Sequence, residues 1–92
     1  MLSNAVAYAY AEAGIELERA EQLVAVALAD EPEQPDYLDT LGWIRCRAGD
    51  PEAGLPLLRR ASELSGGDVP EIEGHVAQCR SAAVAGAALG SP

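Results

Sequence analysis

Ninety-two residues carry fifteen acidic side chains against six arginines and no lysine, for a formal net charge of −9. A chain of this length supports one domain, buries only about 60% of the surface its unfolded form exposes, and has no room for a large internal cavity. The charge excludes a phosphate-binding surface of clustered cations, and with it a nucleic-acid partner, and no apolar run approaches the ~18 residues of a membrane span.

The apolar share is 49%, yet aromatics make up 4% and phenylalanine is absent. Ala, Leu and Val therefore supply most of the core, which favours closely packed helices over a bulky interior. The first helix is expected from about Asn4 to Ala13, with Ser3 as its cap and Gly14 as its stop. A second runs from about Leu17 to Ala29, with Leu23, Val24, Ala27 and Leu28 at helical spacing, and Pro32 and Pro35 close it. The run Asp30-Glu31-x-Glu33 lacks the spacing and central glycine of a calcium loop and reads as a solvated turn. The third helix spans about Asp36 to Ala48, with Pro35 placed for its first position and Gly49 ending it. Its Leu38, Leu41 and Ile44 form an apolar stripe, while Asp39 and Trp43, four apart, share a neighbouring face.

Asp50 caps a fourth helix that Pro51 opens, with Leu55, Leu58, Ala61 and Leu64 on its apolar face. Pro56 inside it predicts a bend or a late start. Ser65-Gly66-Gly67 forms the next turn, Asp68-x-x-Glu71 reads as a capping box, and a fifth helix runs from about Pro70 into the alanine-rich tail, fraying near Gly86 or Gly90. No segment reads as a strand. Nothing resembling a signal peptide opens the sequence, which makes a cytoplasmic setting the default expectation.

An internal repeat organises these elements. Ala20 and Gly54, Val24 and Leu58, and Ala27 and Ala61 stand 34 positions apart. Val6-Ala7, Leu41-Gly42 and Val76-Ala77 follow one another at 35. With that period, small residues where paired helices would cross and Pro32 near the end of the first unit, the chain resembles a tetratricopeptide repeat protein over about two and a half units. The positions that carry the resemblance are Val6, Ala7, Tyr10, Gly14, Ala20, Val24, Ala27 and Pro32 in the first unit, and Leu38, Leu41, Gly42, Gly49, Gly54, Leu58 and Ala61 in the second. Arg45 departs from it, standing where the family usually has an aromatic. So does Gly66, where proline is usual, and the outer helix of a third unit is missing.

The resemblance implies an all-α fold: a right-handed solenoid of five helices in one domain, 1–92, with units at about 1–34 and 35–68 and a partial unit at about 69–92. A hairpin cannot bury its apolar face alone, so stacked hairpins share a core and leave one side concave. In the family the inner helices line that side. Carried over, Asn4, Tyr8 and Glu12 line it from the first unit, Asp36, Asp39, Trp43 and Arg47 from the second, and Gln78 from the third.

The resulting expectation is a non-enzymatic protein–protein interaction module that needs no cofactor. It would hold a peptide or partner helix that is neutral or basic where it meets the groove. The lysine- and arginine-based carboxylate clamp known in part of the family is not supported, because lysine is absent and the equivalent surface offers Tyr8, Asp39 and Trp43. Tyr8 and Trp43 read equally as anchors for a partner or as packing between units. Other readings weigh less. The chain could be a structural spacer or self-association segment, with a homodimer covering the C-terminal edge. Asp36 with Asp39 could serve catalysis, although acids near helix starts are ordinarily caps. His75 and Cys79, joined by Cys46, could approach a metal set, but zinc asks for three or four ligands.

Overall fold

The computed structural model describes the backbone of residues 2–90 and the side chains of residues 4–86. All regular structure among these residues is α-helical: α1 (Leu2–Ala13), α2 (Leu17–Asp30), α3 (Pro35–Arg47), α4 (Pro51–Leu64) and α5 (Pro70–Gly90). No described helix is long and apolar enough to cross a membrane.

Local chemistry fixes the ends. Pro35 and Pro51 occupy first turns, where a missing N–H costs nothing. Gln34 Oε1 accepts from the Asp36 amide at 3.4 Å, and Asp50 Oδ1 accepts from the Ala53 amide at 3.3 Å. Gly14 at φ 70° and Gly49 at φ 90° turn the chain out of α1 and α3 in the left-handed region that glycine enters freely. Glu16, at φ 50°, is the one non-glycine in that region among the described residues.

Four expectations change. Helix α1 begins at Leu2, so Ser3 lies inside it and is not its cap. Helix α4 starts at Pro51 and runs through Pro56 without a late start. Helix α5 starts at Pro70, which leaves Asp68 outside the cap position, and Glu71 accepts instead from the Tyr8 hydroxyl on α1. The acidic turn is also engaged: Glu31 accepts from Tyr37 Oη at 3.4 Å, and Glu33 pairs with Arg60 of α4 at 2.9 Å.

Chain neighbours pack pairwise, and α3 also touches both α1 and α5, its alternate neighbours in sequence. The closest pairing is α3 on α4. A Cβ added at Gly42 would lie 2.8 Å from the Gly54 carbonyl oxygen, and one at Gly54 would run into the Gly42 carbonyl oxygen. Two glycines thus bring these helices backbone to backbone.

The core divides into two clusters. Ala7, Ala11, Ala20, Val24, Ala27 and Ile44 join α1 and α2 to α3, and Leu38, Ala61 and Ile72 join α3 to α4 and α5. Arg45 spans to Glu21 of α2 in an ion pair at 2.9 Å.

Candidate functional site: the wall shared by α1, α3 and α5

Side chains spaced by four stand above one another on a helix, and three such ladders meet here: Tyr8 and Glu12 on α1, Asp39, Trp43 and Arg47 on α3, and Glu71 and His75 on α5. His75, 5% exposed, is the centre. Its Nδ1 lies 2.9 Å from Asp39 Oδ1, and its ring stacks on the Trp43 indole at a centroid distance of 4.3 Å and an interplanar angle of 18°. A carboxylate only accepts, so Nδ1 carries the proton and donates it to Asp39.

On the other side of the ring, Nε2 lies 3.5 Å from Tyr8 Oη and 3.7 Å from Glu12 Oε1. Tyr8 Oη donates to Glu71 Oε2 at 3.3 Å, and Trp43 Nε1 donates to Glu12 Oε1 at 3.1 Å. Side chains of α1 and α5 therefore meet over α3.

Arg47 closes one end of this wall. Its Nε donates to the Ala11 carbonyl at 3.1 Å and an Nη donates to the Glu12 carbonyl at 3.4 Å, while its guanidinium lies 5.9 Å from the Trp43 ring centroid. It supplies a cation to the C-terminal end of α1, where unpaired carbonyls and the helix dipole favour one.

At the opposite end the wall opens. A cleft of about 240 Å³ lies among Asn4, Ala5, Tyr8, Asp36, Asp39, Thr40 and Glu71. The site residues expected from the sequence thus separate. Asn4, Tyr8, Asp36 and Asp39 line the cleft, Glu12 and Arg47 belong to the closed end, and Gln78 is exposed and absent from the network.

Trp43 requires a correction. It is 6% exposed, sealed beneath His75, Glu12 and Arg47, so its ring is packing and not an anchor offered to a partner. Asp39, 4% exposed, is likewise committed to His75.

Electrostatics follow from this geometry. Burial pulls the His75 imidazolium down, but the hydrogen bond to Asp39 and the charges of Asp39, Glu71 and Glu12 outweigh it and raise the pKa above its ordinary value. His75 then holds its proton to higher pH when folded than when unfolded. Its stabilising contribution is complete below the ordinary value of about 6.5 and is lost as pH rises through the raised one. Melting temperatures recorded from mildly acidic to alkaline pH are expected to fall more steeply for the wild type than for His75→Gln. Parallel curves would contradict the assignment. Tyr8 is pushed well above the usual phenol range, by burial first and by Glu12 and Glu71 second, and is not a nucleophile at neutral pH.

The thiols stand apart from the wall. Burial and the neighbouring Cys46 push Cys79 up to about 12, so it is a thiol at neutral pH. Among the described residues no three His, Cys, Asp or Glu side chains are grouped as a metal-binding set.

Glu71 and His75 were absent from the residues expected at the wall. Glu71 had a signal, since it follows Asp36 by the same 35 positions that separate Tyr8 from Trp43. His75 follows Thr40 by that interval and takes the inward place on α5 that Gln78 was expected to hold. Compared with known proteins, the chain matches no family model, no curated protein and no solved structure.

Proposed function

We propose that the chain is a tetratricopeptide-like interaction module of about two and a half units that engages a peptide or partner helix, without catalysis, at the open end of its inner wall. The single observation that carries this reading is the cleft. Asn4 and Tyr8 of the first unit meet Asp36 and Asp39 of the second around it, with Glu71 of α5 as the further wall. These residues come from alternate helices, the arrangement that stacked hairpins would give their concave side. The sealed Trp43 removes the aromatic-anchor version of the reading, so contact falls to Tyr8 and the polar rim.

The test is a matched pair of charge reversals. Asp36→Arg changes the cleft, whereas Glu18→Arg makes the same change on an exposed position of α2. Captured partners, identified and then titrated as purified proteins, are expected to lose at least tenfold in affinity for Asp36→Arg. Equal affinity of the two variants would place binding outside the cleft.

A second reading, a structural spacer or self-association segment, draws on the burial of Trp43 and on the exposure of Val84 on α5. Sedimentation separates it from the first: a concentration-dependent dimer disrupted by Val84→Glu favours self-association, and a monomer at all concentrations removes it.

A further inference from the structure

We propose that Cys46 of α3 and Cys79 of α5 form a disulfide when the protein meets a small-molecule disulfide oxidant, cross-linking the two helices at the closed end of the wall. These are the only two cysteines of the chain, 33 positions apart, and both are free thiols in the structure. The cross-link lies away from the cleft, so it stands or falls independently of any partner bound there.

The register of the two helices brings the thiols together. Leu38 shares a cluster with Ile72, Asp39 meets His75, and Trp43 stacks on His75, so α3 and α5 run side by side in the same direction. One turn further along, the next residues on those facing sides are Cys46, three after Trp43, and Cys79, four after His75. Ile72, His75 and Cys79 are the buried residues of α5 among those described, and they form one stripe.

The start of α4 fixes the same place a second time. Cys79 Sγ donates to the Pro51 carbonyl at 3.6 Å, while a Cβ added at Gly54, three residues on, would lie 3.0 Å from the Cys46 nitrogen. Both cysteines therefore border the first turn of α4. The raised pKa of Cys79 agrees, since Cys46 follows burial among its causes. A plainer account is that both are small packing residues. The bond to Pro51 explains a thiol at 79, but it gives no reason for a second thiol beside it at 46.

Access sets the order of the chemical steps. Cys46 is half-buried and Cys79 is buried, so Cys46 meets the oxidant first. Its thiolate attacks one sulfur of the small disulfide, that S–S bond breaks, and one small thiolate leaves with the electron pair and takes up the proton Cys46 lost. Cys79 then gives up its proton and its sulfur attacks Cys46 Sγ. The mixed disulfide breaks and releases the second small thiolate, which takes that proton. The two protein sulfurs lose two electrons and the oxidant gains them. The high pKa of Cys79 makes its attack the slow step.

The probe is glutathione disulfide, incubated with the full chain at defined ratios to glutathione, quenched in acid and read as intact mass and disulfide-mapped peptides. A monomer lighter by two hydrogen atoms, with the Cys46 and Cys79 peptides joined, is expected. The melting temperature should rise by more than about 8 °C on cross-linking, because the closed loop removes conformations from the unfolded chain. At one glutathione ratio, the quotient of oxidised to reduced chain should be about tenfold or more higher in buffer than in concentrated urea, since the fold then holds the thiols together. Cys46→Ser and Cys79→Ser should each abolish the thermal shift, and Cys79→Ser should retain glutathione on Cys46. If Cys79→Ser fails to fold, Cys46→Ser carries the comparison alone. A persistent glutathione adduct on Cys46 of the wild type, a linked dimer, a thermal shift retained in a serine variant, or a quotient no higher in buffer than in urea would overturn the proposal.

Discussion

Asp39→Ala is expected to lower stability by about 3–5 kcal/mol, because it strips the carboxylate partner from the buried His75 ring that donates to it. For a small domain holding about 5–15 kcal/mol in total, that is a large share of what keeps the chain folded. The melting temperature should drop by more than about 12 °C. Surface ion pairs such as Arg45 with Glu21 are worth at most about 1 kcal/mol by comparison, since water and salt screen them. A double-mutant cycle with His75→Ala isolates the pair: the double variant should lose far less than the sum of the two single losses. Additive losses, or a cost below about 1 kcal/mol for Asp39→Ala, would show that this network is not what ties α1 and α5 across α3.

The second large effect comes from a methyl group. Gly54→Ala gains about 1 kcal/mol of helix propensity, but its Cβ would overlap the Gly42 carbonyl oxygen and lie 3.0 Å from the Cys46 nitrogen. Backbone atoms cannot turn aside as a side chain can, so α4 must move away from α3 and the packing of Leu38, Ala61 and Ile72 must loosen with it. Overpacking of this kind costs about 1–3 kcal/mol where side chains can adjust, and the contact here lies at or beyond the upper end. A net loss of about 2 kcal/mol or more is expected in chemical denaturation. Gly74→Ala supplies the opposite sign: its Cβ meets nothing within 4 Å, so the same substitution in α5 should stabilise by about 0.5–1 kcal/mol. If both variants shifted stability in the same direction, close approach of α3 and α4 would not be the reason for Gly54.

The helices were legible because their signals are local. Proline at first turns, glycine beyond last turns and apolar residues at helical spacing each act within a few residues, and the five helices fall within a few residues of where those signals set them. Small residues marked where α3 crosses α4, since a crossing that close tolerates nothing larger.

The wall was legible only in part. Position along a helix places Tyr8 and Asp39 on the right face, but whether an aromatic is exposed depends on what crosses above it. For Trp43 that was His75 of α5, 32 positions further along the chain. The repeat interval set Gln78 opposite Trp43, whereas α5 turns His75 and Glu71 inward. An offset of one residue rotates a helical side chain by about 100°, which moves Gln78 from the wall to solvent.

The claim on which the account depends is that α1 and α5 close over α3, leaving only the Asn4–Glu71 end of the wall open. Trp43 is the single tryptophan and reports on this directly. Acrylamide is the appropriate quencher, because a chain of net charge −9 would repel iodide from an exposed ring as well as from a sealed one. The account predicts blue-shifted emission that acrylamide barely quenches in the folded protein and quenches fully after Asp39→Ala or denaturant. Red-shifted emission with free quenching in the folded wild type would contradict it.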